Sequence, residues 1–309
     1  MRRPTLDDVP DILAVVHASD IAAIGYPDFT VDDVREVLTA PTTDLEQDCW
    51  VALDPAGEIV GWSYLDNPNR GERELVEVYV HPERGVPAQR PLLALALPRA
   101  AERAVAFGLE QMTLRAGAIL TERTRIETLK DAGFAFVKRY ARMSRSLDGV
   151  SPTPPAPPDG VTIRLLRHTD EADMRRFHYI LDTAFADTPD HAPSTYEMWR
   201  ERVDALPAVE WDEWFVAEVD GVAAGALRST YQPPEEDEGW VRSLAVLREY
   251  RKRGVGAALL ARAFAVYAGK GRKHAGLGVD LTNPTHAYRL YGAVGMTASY
   301  EFDSYERTI

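Results

Sequence analysis

Arg251-Lys252-Arg253-Gly254-Val255-Gly256 sets three cations directly ahead of two glycines. Glycine lets a backbone approach a ligand closely, and the first turn of a helix presents N–H groups that lack an intrahelical acceptor and carry partial positive charge. If a helix opens at Gly254, the segment can cradle a diphosphate. A solvated basic turn ahead of an amphipathic helix accounts for the same residues, and both readings stand at this point. Asp280 lies at a distance that suits a dinucleotide fingerprint, but the third glycine of that fingerprint falls at Leu259. Seven residues, Leu247 to Arg253, also separate the preceding strand from the first glycine, where the fingerprint allows almost none. No Walker-type phosphate loop occurs in the chain.

The elements that must position this loop follow from periodicity. Val241 to Val246 reads as a buried strand, and Val255, Leu259, Ala263, Val266 and Tyr267 form one face of a helix. Leu277 to Asp280 reads as the next strand, then Asn283 to Tyr291 as a short helical segment ending near Gly295-Met296. Upstream, Asp170 is positioned to cap a helix carrying Met174, Phe177, Leu181 and Phe185. Trp214 to Val219, the turn Asp220-Gly221, and Val222 to Leu227 form a hairpin pattern.

The chain has 309 residues, twice a usual domain of roughly 150. Five prolines between Pro152 and Pro158, flanked by Gly149 and Gly160, mark an extended spacer. Its two sides read as one unit used twice. Arg2 to Ile12 parallels Arg164 to Met174, and the hairpin Trp50 to Leu65 parallels Trp214 to Leu227. The strand Leu75 to Val80 likewise parallels Val241 to Val246. Each half is therefore expected to be α/β, an α+β mixed sheet with helices packed on it. The expected boundaries are 1–147, a Pro-rich linker at 148–160, and 161–309.

Arg251 to Gly256 resembles the Gln/Arg-x-x-Gly-x-Gly/Ala loop of the GNAT N-acetyltransferase superfamily. Asn283, Ala287, Leu290, Tyr291, Gly295 and Met296 then resemble its second motif, 27 residues from Gly256 to Asn283. Two such units in one chain are similar to tandem actinobacterial acetyltransferases of the mycothiol-synthase-like kind. The resemblance implies acetyl-CoA as donor. It places the pyrophosphate on backbone N–H groups from Lys252 to Gly256, preceded by Arg251, and the pantetheine along the strand edge Leu244-Ala245-Val246. An N–H near Val246 would polarise the thioester carbonyl. Asn283 would touch the cofactor arm or cap the last helix. Tyr291 would protonate the departing thiolate as an acid of reference pKa ~10, or else simply pack beside Leu290. The family-like enzymes carry an acidic residue on the strand leading to the cofactor. Here that stretch reads Trp240-Val241-Arg242-Ser243, which leaves Glu238 as a base candidate or a solvated loop acid.

The first half departs from the pattern. Pro87 and Pro91 remove N–H groups where the loop would lie, and Leu129 falls at the tyrosine position. Residues 1–147 are expected to keep the fold without the cofactor chemistry, and residues 161–309 to be the active unit. Phe185, Tyr196, Trp199, Trp211, Trp214 and Tyr231 crowd the acceptor side, either as pocket lining or as core, with His178 and His191 nearby.

A net charge of −13 argues against binding nucleic acid. The single cysteine, Cys49, forms no disulfide, and the scattered histidines show no metal-binding spacing. No signal segment or membrane span is visible, so a cytoplasmic location is expected. The expected activity is transfer of acetyl from acetyl-CoA to a primary amine of a small molecule. A different acyl-CoA donor, or a non-catalytic acyl-CoA-binding sensor, are the alternatives.

Overall fold

Both halves repeat one order of elements in the computed structural model, which describes residues 1–186, 188, 193–206, 208–230, 237–283 and 287–309. The first copy runs α1 (Val9–Ile24), α2 (Val31–Thr39), β1 (Cys49–Leu53), β2 (Ile59–Asp66), β3 (Arg73–Val80), α3 (Gln89–Ala106), β4 (Thr113–Ile119), α4 (Arg123–Asp131) and β5 (Ala135–Ser146). The second opens with β6 (Val161–Leu165), then α5 (Glu171–Phe185), α6 (Tyr196–Asp204), β7 (Phe215–Val219), β8 (Val222–Thr230) and β9 (Glu238–Val246). It continues with α7 (Val255–Gly269), β10 (His274–Asp280), α8 (Ala287–Ala293) and β11 (Thr297–Thr308). In place of β6 the first copy has a single bridge, Arg2 to Val51.

The compact units do not follow the repeat to its end. One unit is Met1–Tyr140 with Tyr300–Ile309, and the other is Ala141–Ser299. In the first, the strands run β1-β2-β3-β4-β11, with Phe302 to Thr308 antiparallel to Thr113 to Ile119. In the second the order is β6-β7-β8-β9-β10, followed by the later part of β5. The sequence boundaries assigned 300–309 to the second half, whereas packing assigns them to the first. Alternation along a strand states which face is buried and not which of two related sheets receives it.

An ion pair between a solvent-reaching arginine and a buried aspartate recurs at the start of both copies. Arg2 donates to Asp8 at 2.7 and 2.6 Å, and Arg164 donates to Asp173 at 2.7 and 2.6 Å. The bonds from Arg2 hold Asp8 down at about 2. Burial alone would raise Asp173, but hydrogen bonds from Arg164 and Arg167 hold it well below the usual range. Asp170 caps α5 by accepting from Ala172 and Asp173 N–H at 3.0 and 3.4 Å. Phe177, Trp199 and Trp214 belong to the core between α5, α6 and the sheet, so these aromatics are packing rather than pocket lining. Tyr231 lies outside the described residues.

In the first unit, Glu74 is fully buried beside Arg103, which also pairs with buried Asp48. Burial raises Glu74 to about 7 despite opposition from Arg103 and a hydrogen bond from Asn67. The folded state therefore keeps a proton that the unfolded chain loses near 4.5. Stability from this group is fully present below about 4.5 and is lost as pH rises through about 7, by roughly 3 kcal/mol at most. Glu74→Gln is expected to flatten the pH dependence of the melting temperature between pH 5 and pH 8. An unchanged slope in that variant would remove Glu74 as its source.

The Pro-rich segment forms no helix or strand and belongs to the second unit. A side chain at Gly269 would meet Pro152 at 3.5 Å, and one at Gly254 would meet Pro158 at 2.8 Å. Seven extended residues reach about 19 Å and a 15-residue helix about 22 Å, so the segment follows α7 from end to start. No helix among the described residues is long and apolar enough to cross a membrane.

Candidate active site

β9 and β10 run parallel but pair over only three residues, Glu238 to Trp240 against His274 to Gly276. β9 continues to Val246 and β10 to Asp280 with no further pairing between the two among the described residues. Along this stretch β9 is bonded to β8 on its other side, from Gly225 opposite Val246 to Arg228 opposite Ser243. The strands therefore splay into a crevice, with the backbone of Leu244, Ala245 and Val246 along one edge. Such an edge can accept an extended ligand as an added strand.

The crevice ends at the start of α7. Gly254 is the helix N-cap at φ +76°, a left-handed geometry that glycine adopts without strain. Lys252 holds φ +63° and is exposed. Ala258 N–H donates to Gly254 O at 3.0 Å, which leaves Val255, Gly256 and Ala257 N–H without an intrahelical acceptor. This turn can receive an anion.

The three basic residues of the loop have different fates. Arg251 points inward, its guanidinium donating to Val246 O at 3.0 Å and to Ala184 O at 3.1 Å. It ties the end of β9 to the end of α5. Arg253 pairs with exposed Asp220 at 3.0 Å. Lys252 is the cation presented beside the helix start.

Val255 and Gly256 are both buried. A Cβ on Gly256 would lie 2.8 Å from Leu290 Cδ2. Close packing of α7 against α8 thus leaves little room for a side chain here. Tyr291 follows Leu290 and is 8% exposed, within the core that contains Leu277, Val279 and Leu259. Burial raises its phenol to about 12. Asn283 lies in the turn after β10, its N–H donating to Asp280 O at 3.3 Å. Residues 284–286 and His191 are outside the described residues.

Glu238 is not a solvated loop acid. It is buried at the first position of β9 and accepts from Arg142 at 2.5 Å, with Arg142 stacked 4.6 Å from the Trp240 ring. Its carboxylate fills the space beside Gly276, where a Cβ would come within 2.3 Å of it. His178 is also buried against Tyr196 and Trp199, with burial lowering its pKa.

The corresponding turn in the first unit is closed on itself. Gly85 N–H donates to His81 O at 2.8 Å and Ala88 N–H to Gly85 O at 2.8 Å. A Cβ on Gly85 would lie 2.0 Å from Val60 O, so the turn is pressed onto β2. Pro87 and Pro91 supply no N–H, and Leu129 is buried.

Residues 175–296, which contain the splayed parallel pair, the open strand edge and the helix start at its end, match the Acetyltransferase (GNAT) family. The chain carries a GNAT domain within a tandem GNAT-like α/β fold, and its class is that of acetyl-CoA-dependent acetyltransferases. It is 27% identical over 255 residues to the mycothiol acetyltransferase of Streptomyces griseus, a match spanning 82% of this chain and 77% of that protein. A GCN5-related N-acetyltransferase from Sphaerobacter thermophilus superposes with a TM-score of 0.83 at 25% identity, over 99% of this chain and 94% of that one. A tandem GNAT protein from the clavulanic acid biosynthesis pathway shares the fold at a TM-score of 0.65 and 17% identity, over 99% and 97% of the two chains.

Proposed function

We propose that the second unit transfers acetyl from acetyl-CoA directly to a primary amine of a small molecule, while the first unit has no donor site. The observation that carries this reading is the start of α7, where Val255, Gly256 and Ala257 N–H lack an intrahelical acceptor at the end of the Leu244 to Val246 edge. The first unit has the same three-residue pairing, β3 with β4, but its turn is closed on itself.

Backbone N–H groups from Lys252 through Gly256, with the Lys252 ammonium, hold the pyrophosphate. Arg251 contributes by holding the loop between Val246 O and Ala184 O. The edge of β9 binds the pantetheine arm and orients the thioester, an N–H near Val246 polarises its carbonyl, and Asn283 stands beside the arm after β10. The amine attacks the carbonyl carbon, the tetrahedral adduct collapses, and the C–S bond breaks. Tyr291 donates a hydrogen bond to the departing sulfur, and the proton that the attacking nitrogen loses passes to solvent water, so that amide, thiolate and one released proton balance the step. With a phenol near 12 against a thiol reference of ~8.5, stabilising the developing thiolate is its main task in this unliganded setting.

The likeness to a GCN5-related N-acetyltransferase supports a nitrogen acceptor. Titration calorimetry of the intact chain with acetyl-CoA is expected to give one site per chain, and a panel of small amines to yield free thiol. Two equivalent sites would mean that the first unit also binds donor, and absence of binding would refute the reading.

A further inference from the structure

Arginines in this acidic chain are mostly paired with carboxylates. Arg2 with Asp8, Arg99 with Asp48, Arg139 with Asp303, Arg164 with Asp173 and Arg272 with Glu213 all lie within 3 Å. Arg228 is different. It projects from β8, opposite Ser243 on the splayed part of β9. It shares a strand face with Ala226, on the side of α5 and α6, with its guanidinium 5.7 Å from the Trp214 ring. Its one hydrogen bond goes from Nε to Ser243 Oγ at 3.2 Å, and no carboxylate among the described residues pairs with it.

Its charged neighbours make the site more positive. Burial, joined by the charges of Arg242 and Arg202, lowers the Arg228 pKa to about 10. At neutral pH Arg228 remains cationic. Arg242 is exposed and has no carboxylate partner among the described residues, and Arg202 donates to Met198 O at 3.2 Å. The β8–β9 register shifts here, with Ser243 opposite Arg228 but Val241 opposite Ser229. Arg242 is thus the extra residue of a β-bulge, a device that re-aims a side chain. A half-buried guanidinium held by one hydroxyl among like charges is costly unless an anion completes it.

We propose that Arg228, with Arg242 and Arg202 beside it, binds an anionic group, carboxylate or phosphate, carried by the amine acceptor. The proposal rests on the second unit being the transferase site, and it names the acceptor class: an amine with an anionic arm. Ser243 orients the Arg228 fork, whose two terminal nitrogens suit bidentate contact with either oxyanion. Neutralising the triad at the crevice wall also fixes the acceptor's direction, leaving its amine toward the Leu244 to Val246 edge.

Thiol-release rates with matched acceptor pairs test this on the intact chain. L-alanine against L-alaninamide isolates a carboxylate, and glucosamine 6-phosphate against glucosamine isolates a phosphate. The expected result is a tenfold or greater preference in kcat/KM for the anionic member of one pair, carried mainly by KM. The pair that shows it identifies the oxyanion. Arg228→Gln should move that ratio toward one, and the exposed Arg242→Gln and the small change Ser243→Ala should do so in part if Arg228→Gln folds poorly. Equal or better use of the neutral members, with acetyl-CoA bound in calorimetry, overturns this inference and leaves the transferase reading intact. A ratio unchanged in all three variants overturns it as well. If the chain neither binds acetyl-CoA nor acetylates any amine, both readings fall.

Discussion

Gly256→Asp is expected to weaken acetyl-CoA binding more than 100-fold. Two effects act together. The new Cβ meets Leu290 Cδ2 at 2.8 Å, with Val246 and Leu244 within 4.0 Å, so the carboxylate enters an apolar junction between α7 and α8. A helix start favours a nearby anion by about 0.3–1 kcal/mol, but burying an unpaired charge costs several kcal/mol, so the penalty wins. The added charge also opposes a pyrophosphate held at the same turn. Gly256→Ala is the control, because the contact atom is the far end of a flexible leucine that can move aside. It should lose less than tenfold. Calorimetry reads the affinities and circular dichroism reports folding. Wild-type affinity in folded Gly256→Asp would mean that the donor does not lie at this helix.

Tyr291→Phe is expected to lower kcat by about 100-fold, within the range that general-acid groups supply, with little change in acetyl-CoA affinity. The substitution removes only the hydroxyl from a side chain that is otherwise core, so α8 keeps its packing. The pH profile separates roles. With its phenol raised to about 12, Tyr291 stays protonated through the neutral and mildly alkaline range. The wild-type rate should rise as the acceptor amine deprotonates and show no descending limb from Tyr291 below about pH 10. Unaltered turnover in Tyr291→Phe would reduce the residue to packing, and a chain without turnover in either form would be a binding module.

The residues that announce themselves in the sequence are those whose role is local. Asp170 is followed by helical periodicity and does cap α5. The paired hairpins are flanked by turn residues and form at the expected places. The α7 start is marked by Gly254 and opens there. Long-range partners leave no such mark. Arg251 in a basic loop reads as a ligand for phosphate, yet it reaches Ala184 O, 67 residues away. Gly256 reads as room for a ligand, while its neighbour is Leu290. Glu238 sits among exposed-looking acids but is buried under Arg142, from the other copy of the repeat's closing strand. The splay of β9 from β10 is a property of register, which no spacing along one strand encodes. Arg228 carried one legible sign: a cation on the face that also presents apolar Ala226.

The placement of Tyr300–Ile309 beside β4 has a consequence for biogenesis. A nascent chain emerges N-terminus first, and a domain normally condenses once its own residues are out. Here the earlier-made sheet lacks its fifth strand until residues 300–309 have been synthesised, so the β4 margin stands uncovered during translation of residues 141–299. Closing it joins positions such as Thr113 and Thr308 across almost two hundred residues, a slow, entropically demanding step. Of the two units, the one begun earlier is the one completed later.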